Sequence, residues 1–404
     1  MSKVRNFSEI APNIAFPEFN FYELYYSTFE KSELGRIKKL LPLREMAENF
    51  GLVRKSMRPK LGRKSFFTPE GKVALMFLKM YTGLSCPKLL EQLNGNIHYQ
   101  IFCDVIIDPT RPLTNYKLLD DVMMELAGKL KIQQLQGILA DKWRPYIENL
   151  DAMYTDATCY ESEMRYPTDA KLLWEGIEKS YATMCELSSR QGFHRPRTKF
   201  LDVQKANLTY RKQRKHSRSR TRKITRRLLD LLSKPHLRPI VRGKEVKSVE
   251  FGAKVNNILF DGISFIVKLS FNAFNEVSRL VHCLKMHKRL FGVEAKKVGG
   301  DTGYAGTENR DYCKANGIQT SFVKRGRPFG EKKKEKDLVR KELARVRATA
   351  MEGSFGTQKE HYDLRRVKAR TKRTEILYIF FGIHTANVVQ LADRTEQRAR
   401  LAAA

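Results

Sequence analysis

The stretch "VNNILFDGISFIVKLSF", Val255 to Phe271, decides the fold class of this chain. Two apolar runs rich in β-branched and aromatic residues stand on either side of Asp261-Gly262. Asp-Gly between such runs is the strongest short-range signal for a β-hairpin, because the turn that it favours matches the twist of the two strands. The sequence therefore predicts two antiparallel strands joined by a tight turn.

Further strands are predicted on both sides of this hairpin. Upstream, "DAMYTDATCY" (Asp151 to Tyr160) alternates weakly and carries β-branched and aromatic residues, which is typical of a strand. Downstream, we predict a short strand from Lys296 to Val298 and another in "GIQTSFVK", Gly317 to Lys324. A helix from Glu276 to Leu290, with apolar residues at helical spacing, separates the hairpin from these two strands.

Helices account for the rest of this region. A charged helix runs from about Asp337 toward Tyr362, and an apolar, buried helix runs from Ile376 to Leu391. Another helix, Thr168 to about Ser189, follows the first strand and begins a long insert. Without the insert, the order is three strands in a meander and then α, β, α, β, α. That is the order of a ribonuclease-H-like mixed sheet, so the sequence predicts an α+β fold with such a core.

The first 148 residues are predicted to be mostly helical. Thr68-Pro69-Glu70 supplies an oxygen cap, a proline at the first position and an acid in the first turn of a helix that Gly83 ends. Ser85-Cys86-Pro87 begins a second helix, which Asn94-Gly95 ends. Two short helices joined by a glycine turn fit a DNA-binding helix-turn-helix, and they fit a helical bundle without DNA contact about as well. The basic "RPKLGRK", Arg58 to Lys64, favours DNA.

These patterns predict the domain organisation. Residues 1–148 form an all-helical N-terminal domain, residues 149–392 form the ribonuclease-H-like domain, and residues 393–404 form a flexible tail. A helical insert spans residues 160–248 inside the second domain. Its segment Arg211–Arg227 has ten Lys or Arg among seventeen residues and no acid. The run could be a solvated helix face, but its charges would repel strongly without an anion, so phosphate contact is favoured.

The charge of the whole chain points to the same class of partner. The net charge is +32 and the isoelectric point is about 9.9, which favours a polyanion, most commonly nucleic acid, over the rival of an anionic membrane surface. Hydrophobic residues make up 42% of the chain, as in a globular protein. We find no apolar run of about 18 residues that would span a membrane. The six scattered cysteines, without a C-x-x-C pair, fit a reducing, cytoplasmic location.

Three acidic residues occupy positions that the predicted fold brings together. Asp156 lies on the first strand, Asp301 follows the strand before "DTGYAGTEN", and Glu352 lies in the long charged helix. Each has an ordinary alternative interpretation, since Asp301 is a natural turn former and Glu342 or Glu360 is a rival for Glu352. Gly300 and Gly303 are expected to let the chain turn sharply beside Asp301.

The chemistry of phosphodiester cleavage requires such a set of acids. In-line displacement at phosphorus needs charge neutralised on the attacking and leaving oxygens, which two divalent ions roughly 3.5–4 Å apart provide. Mg²⁺ prefers carboxylate oxygens, water and phosphate as ligands. Three carboxylates can hold two such ions, and the ions relieve the repulsion among the carboxylates.

At these residues the chain resembles the bacterial insertion-sequence transposases of the DDE class. The segments that carry the resemblance are "YTDATCYESEMRYPTDAKLL", "GDTGYAGTENRDYC" and "MEGSFGTQKEHYDLRRVKARTKRTE". The third keeps the Glu-x₆-Lys spacing of the family, from Glu352 to Lys359. The family commonly has Tyr and Arg seven and four residues before this Glu. Here those places hold Arg345 and Ala348, and Arg347 stands one residue away.

The resemblance implies a function for each part. Asp156, Asp301 and Glu352 would be the catalytic residues and would hold two Mg²⁺ or Mn²⁺ ions. The partners would be double-stranded DNA, as terminal inverted repeats and target, and a second copy of the chain on the DNA, in the cytoplasm at the bacterial nucleoid and without a membrane. Tyr304 would pack beside the site or stack on a base. The expected DNA-binding residues are Lys359, Arg347, Arg365, Arg366, Lys324, Arg325, Arg327, Arg218, Arg220 and Arg222.

Two other functions fit the sequence. One is a non-catalytic, domesticated DNA-binding protein, which the intact set of three acids disfavours. The other is a ribonuclease-H-like nuclease without strand transfer, which only the family resemblance separates from a transposase. In either case phosphate contacts would position the DNA without reading its sequence.

Overall fold

The computed structural model describes residues 21–53, 65–162, 169–190, 192, 199–213, 217–229, 239–241, 249–323, 332–369 and 371–403. The chain forms two compact units, one of Met1–Ser162 with Pro239–Ala404 and one of Glu163–Arg238. The second unit lies within the predicted insert, residues 160–248. The predicted boundary between residues 148 and 149 falls inside the first unit and stays a prediction.

The described N-terminal part of the first unit is helical, as predicted. Its helices are α1 Phe21–Lys31, α2 Glu33–Leu40, α3 Leu43–Asn49, α4 Pro69–Thr82, α5 Cys86–Gly95, α6 Ile97–Phe102, α7 Lys117–Lys129 and α8 Ile132–Trp143. The start and stop signals of α4 are confirmed. The Thr68 hydroxyl accepts a hydrogen bond from the Gly71 amide at 2.9 Å, and Gly83 ends the helix with φ 61°, a left-handed conformation that glycine adopts freely. The helix pair α4–α5 exists as predicted, while its contact with DNA stays a prediction.

A mixed sheet forms the centre of the rest of the first unit. Its strands are β1 Ala152–Ser162, β2 Pro239–Val241, β3 Val249–Phe260, β4 Ile263–Ser270, β5 Lys297–Gly299, β6 Gln319–Thr320 and β7 Arg366–Val367. Strand β3 pairs antiparallel with β1, β2 and β4, and β1 pairs in parallel with β5 and β7. Strand β6 continues the sheet beside β5. The predicted meander of three strands is β1, β3 and β4, and the α+β fold class is confirmed.

The hairpin that decided the fold class joins β3 to β4. Asp261 and Gly262 have φ angles of 48° and 79°. Two successive left-handed residues are the signature of the turn that fits the twist of a two-residue hairpin. The flanking residues Phe260 and Phe265 are fully buried, so the hairpin also supplies the core with aromatic side chains.

The remaining helices of the first unit connect and cover the sheet. They are α12 Leu280–Phe291, α13 Thr307–Ala315, α14 Lys332–Val346, α15 Glu352–His361 and α16 Lys372–Ala403. A π-helical turn, Arg347–Met351, joins α14 to α15. The charged helix predicted from Asp337 toward Tyr362 is therefore present, but a wider turn interrupts it directly before Glu352.

Two predicted elements need correction. The strand predicted from Gly317 to Lys324 is only Gln319–Thr320, because its partner β5 is three residues long and offers two pairing positions. Residues 393–404, predicted as a flexible tail, instead continue α16 to Ala403. Ion pairs hold this end of the helix, since Arg394 reaches Asp261 of the hairpin at 3.0 Å and Glu396 reaches Arg36 at 2.7 Å.

Helix α16 is the core helix of the first unit. Its Phe381 contacts Phe50 and Phe77 of the N-terminal helices, and its His384 contacts Phe265 of β4. Among the described residues, it is the one helix long and apolar enough to cross a membrane, but 78% of its most apolar stretch is buried inside the protein. A buried core helix therefore accounts for its composition.

The second unit is a small helical bundle. Its helices are α9 Asp169–Arg190, α10 Phe200–Arg211 and α11 Arg218–Leu229. The helix predicted from Thr168 is confirmed as α9. Trp174, Phe200 and Leu228 contribute to one apolar core shared by the three helices. Helix α11 packs Ile224 and Leu228 into this core, and its residues Arg220, Arg222, Lys223, Arg226 and Arg227 are exposed.

Candidate active site

Two of the three predicted acids lie on adjacent parallel strands, Asp156 within β1 and Asp301 just after the end of β5. The register pairs Tyr154 of β1 with Gly299 of β5, so Asp156 and Asp301 each stand two residues further along in the same direction. Neighbouring strands are about 4.8 Å apart. The two carboxylates are close enough that the charge of Asp301 raises the pKa of Asp156.

The Asp156 carboxylate is mostly buried, and both of its oxygens have partners. Oδ1 accepts a hydrogen bond from the Ala157 amide at 2.8 Å, and Oδ2 is paired with the Arg347 guanidinium. Burial raises the pKa of Asp156, the Arg347 charge lowers it, and the net change is upward. The surroundings as a whole therefore disfavour the ionised carboxylate, and Arg347 offsets only part of the effect of burial.

The Asp301 carboxylate is exposed and caps the turn that follows it. Its Oδ1 accepts hydrogen bonds from the Thr302 amide at 2.6 Å and the Thr302 hydroxyl at 3.2 Å. The ordinary interpretation of a turn-forming aspartate thus also holds here. The outer oxygen, Oδ2, lies on the exposed side chain beside Asp156, so capping leaves this residue with an oxygen for another partner.

The glycines near Asp301 have a different role from the predicted one. Neither Gly300 nor Gly303 has a left-handed φ angle. A side chain at Gly300 would instead meet the Tyr304 ring at 3.3 Å, and one at Gly299 would overlap the Tyr154 ring at 2.4 Å. These two glycines therefore let aromatic rings pack against the strand end that carries Asp301.

The third acid, Glu352, lies on the helix that covers the same face of the sheet. Met351 and Phe355 on either side of it are buried against Tyr154 and Leu259 of the sheet. Side chains two residues apart on a strand point to the same face of the sheet. Tyr154 and Asp156 therefore share the face that this helix covers. Glu352 itself is exposed. Across the described ranges, no group of three or more His, Cys, Asp or Glu side chains is arranged to hold a metal ion, so the structure brings two of the three acids together.

The π-helical turn explains why Arg347 is one residue away from the expected place. In a π-helix the repeating hydrogen bond spans five residues instead of four. Arg347 is five residues before Glu352. Across the wider turn it lies relative to Glu352 where, in an ordinary α-helix, the residue four positions before Glu352 would lie. The structure then directs Arg347 toward Asp156.

A buried polar network lies beneath the aspartates, and sequence reasoning missed it. The Asn256 amide donates hydrogen bonds to the Asp156 carbonyl at 3.1 Å, the Thr155 hydroxyl at 3.2 Å and the Tyr304 hydroxyl at 3.2 Å. The Cys283 thiol donates a hydrogen bond to the side-chain oxygen Oδ1 of Asn256 at 3.4 Å. Asn256 is fully buried, and Tyr304 is 1% exposed, so Tyr304 packs beneath the site. The sequence signal that could have indicated this network is "VNN", Val255 to Asn257, which places two amide side chains inside an apolar strand.

A second buried group supports Lys359. Gln358, fully buried, accepts a hydrogen bond from the Tyr160 hydroxyl at 2.5 Å, and its amide donates to Ser354 at 3.0 Å. The Lys359 ammonium lies 6.0 Å from the centre of the Tyr160 ring. Tyr160 shares the face of Asp156 on β1, so Lys359 is placed along the same side of the sheet as the candidate site.

The other predicted DNA-binding residues fall in different parts of the chain. Arg365 and Arg366 are exposed after α15, and Arg365 pairs with Glu360, a rival acid, at 3.3 Å. In the second unit, Arg218 begins α11, and Arg220 and Arg222 are exposed on it. Lys324, Arg325 and Arg327 lie outside the described residues, as does Arg58–Lys64.

The donor atoms present suit a hard divalent cation. Carboxylate oxygens are the protein ligands that Mg²⁺ prefers. Asp156 and Asp301 repel each other across adjacent strands, and a cation between them would remove that repulsion. The exposed Glu352 on the covering helix supplies a third carboxylate on the same face.

Family comparisons agree with this geometry. Residues 298–389 match a family described as "Transposase DDE domain", and residues 23–119 match a "Transposase domain (DUF772)". No curated protein and no solved structure matches the chain. Transposases of this class act on DNA and use divalent metal ions. The first match includes Asp301 and Glu352, and the two matches indicate similarity to insertion-sequence transposases of the DDE class.

Proposed function

We propose that this protein binds the terminal inverted repeats of an insertion sequence and catalyses metal-dependent strand cleavage and strand transfer. One observation carries the proposal: Asp156, within β1, stands beside Asp301, which follows the end of the adjacent parallel strand β5, on the sheet face that the helix bearing Glu352 covers. Water would attack first and release a 3′-hydroxyl, which would then attack target DNA.

The three carboxylates are the proposed catalytic and metal-binding residues. Two Mg²⁺ or Mn²⁺ ions, when bound, would neutralise charge on the attacking, leaving and phosphoryl oxygens. Asp156 is fixed by the strand and by its hydrogen bond from Ala157. Asp301 is fixed by the turn that it caps. Glu352 is exposed at the start of α15, the helix that covers this face of the sheet, and is proposed to complete the set.

Basic residues on the same side of the sheet are proposed to hold the DNA backbone. Glu352 and Lys359 are seven residues apart on α15, or about 10.5 Å at the rise of an α-helix. Lys359, supported by Tyr160, would contact a phosphate while Glu352 faces the metal ions. Arg365 and Arg366 follow α15 and are exposed, and Arg366 pairs in register with Glu161, on the other face of β1 from Asp156. They are proposed to bind backbone phosphates away from the metal ions. The exposed Arg220 and Arg222 of the insert would bind further phosphates.

The remaining parts of the proposal concern partners. The helix pair α4–α5 is proposed to read the inverted repeats, because phosphate contacts alone carry no sequence information. Two ends must be cut together, so two copies of the chain are proposed to act on the DNA. The proposed location is the bacterial nucleoid.

The test of this function is a cleavage and joining reaction. The purified protein is incubated with Mg²⁺ or Mn²⁺ and a DNA that carries the ends of the element, and products are separated by size. We expect nicked ends followed by joined products. Cleavage without joining would favour the nuclease, and salt-sensitive binding without cleavage would favour the non-catalytic DNA-binding protein.

A substitution in the buried network tests how precisely the aspartates must be placed. We expect Asn256→Leu to lower the cleavage rate by about 100-fold, because a misplacement of about 1 Å can cost that factor. It should also raise the concentration of Mn²⁺ needed for half-maximal cleavage. The measurement is cleavage at saturating DNA over a Mn²⁺ titration.

Gln136→Leu is the matched control for this substitution. Gln136 is also a fully buried amide, and it holds the backbone of Ile266 through hydrogen bonds of 2.6 and 3.0 Å. This variant should lose stability but keep the Mn²⁺ requirement of the wild type. An Asn256→Leu protein with an unchanged Mn²⁺ requirement would show that the network is structural only.

A further inference from the structure

The ion pair between Arg347 and Asp156 places a positive charge on a carboxylate proposed to bind metal. Both side chains are 18% exposed. Arg347 occupies Oδ2 of Asp156, and the Ala157 amide occupies Oδ1. In the structure without DNA, neither oxygen of Asp156 is therefore free of a hydrogen-bond donor.

Arg347 is incompletely bonded in this position. A guanidinium has five N–H donors in a planar fork. The Nε of Arg347 is buried and has no hydrogen-bond partner, while its Nη2 contacts Asp156. A buried donor without a partner costs free energy, so the guanidinium gains from any partner that can satisfy more of its donors.

A DNA phosphate is such a partner. Arginine binds phosphate with two parallel hydrogen bonds, and its fork geometry fits the phosphate oxygens. Arg347 belongs to the π-helical turn directly before Glu352, and single π-helical turns inside helices occur frequently at functional sites. Lys359, beside Tyr160, lies along the same side of the sheet as Asp156, so DNA bound along this side would bring phosphates toward Arg347.

A divalent cation competes with Arg347 for the same oxygens. A guanidinium and a metal ion both require the carboxylate charge, and they repel each other at short distance. Each carboxylate oxygen has two lone pairs, so the competition is between charges and does not come from a lack of acceptor sites. Arg347 on Oδ2 lowers the affinity of Asp156 for a divalent cation, and metal binding is favoured when Arg347 leaves this carboxylate.

We infer that Arg347 determines specificity in the proposed reaction by withholding Asp156 from divalent cations until a DNA phosphate takes the guanidinium. The inference rests on the proposed function, because it takes Asp156 as a metal ligand. Metal ions would then load onto the DNA-bound protein in preference to the free protein. Free protein would thereby be kept from cutting DNA that is not docked at the site.

The experiment measures Mn²⁺ binding by isothermal titration calorimetry, first without DNA and then with a linear DNA duplex. We expect Arg347→Gln to bind Mn²⁺ about 10- to 100-fold more tightly than the wild type without DNA, since a hydrogen bond to a charged group has roughly that effect. Arg347→Lys keeps the charge and should stay close to the wild type. Adding the duplex should lower the Mn²⁺ dissociation constant of the wild type. The ratio between the Mn²⁺ dissociation constants of the wild type and Arg347→Gln should then become smaller.

Two further variants separate the possible failures. Arg345→Gln removes the same charge from an exposed position on the adjoining helix and should bind Mn²⁺ as the wild type does. Asp156→Asn should weaken Mn²⁺ binding. If Asp156→Asn has no effect, the proposed metal site is wrong and this inference is overturned with it. If Asp156→Asn weakens binding but Arg347→Gln does not tighten it, the site stands and the role of Arg347 is overturned.

Discussion

Asp301→Asn is expected to lower metal-dependent DNA cleavage by about 10³-fold or more while DNA binding is retained. The substitution removes one carboxylate charge from the pair that Asp301 forms with Asp156. Metal ions contribute several kcal/mol of charge stabilisation in the transition state, and each 1.4 kcal/mol or so corresponds to a factor of ten. Losing a ligand charge should therefore remove most of the rate enhancement.

The structure indicates that this variant still folds. Asparagine has nearly the same shape as aspartate and is an equally good helix cap. Its side-chain oxygen can accept the hydrogen bond that the Thr302 amide gives to Asp301. Thermal unfolding of Asp301→Asn should therefore resemble that of the wild type, and the lost activity would reflect chemistry.

The same pair of strands offers a matched control. Asp151 precedes β1 at the opposite end of the strand, is exposed, and pairs with Lys296 before β5 at 3.1 Å. Asp151→Asn changes the same functional group in the same sheet and should cleave at the wild-type rate. The measurement is single-turnover cleavage in Mg²⁺ and in Mn²⁺ with equal fractions of DNA bound. Undiminished cleavage by Asp301→Asn would exclude the proposed site.

The position of the two aspartates was predictable because local signals determine it. Asp-Gly in the hairpin fixes β3 and β4, and the alternation in "DAMYTDATCY" fixes β1. Once Val298 is assigned to a short parallel strand, the order of elements places Asp301 beside Asp156. These steps depend on turn chemistry and side-chain periodicity, which the sequence displays directly.

The parts that escaped prediction depend on partners distant in the chain. The π-helical turn before Glu352 leaves no propensity signal in "RATAM", since alanine and methionine favour an ordinary α-helix. The bonds of Asn256 to Asp156 and Tyr304 join residues that are about a hundred and about fifty positions apart. The end of α16 looked like a tail because Arg394 and Glu396 find their ion-pair partners only in the folded protein.

DNA binding should weaken steeply with salt. A protein that neutralises roughly six to ten phosphates loses about 10³- to 10⁵-fold in affinity between 50 and 200 mM salt, because each contact releases condensed counterions. The net charge of +32 is an excess of cations large enough for that number, and the exposed Arg220, Arg222 and Arg366 are among them. The measurement is the dissociation constant for a DNA duplex, by fluorescence anisotropy, over a series of salt concentrations.

Single substitutions then show which cations bind the backbone. Each of Arg220→Gln and Arg222→Gln should reduce the slope of log affinity against log salt by about one, and should do so on any duplex sequence. Lys288→Gln is the control, because Lys288 is exposed but already paired with Glu294 at 2.7 Å, so its charge is balanced within the protein. If the two arginine variants keep the wild-type slope while Lys288→Gln changes it, Arg220 and Arg222 do not bind phosphates and the DNA contacts are made outside the insert. If the slope falls in the two arginine variants alone, the insert is part of the DNA-binding surface.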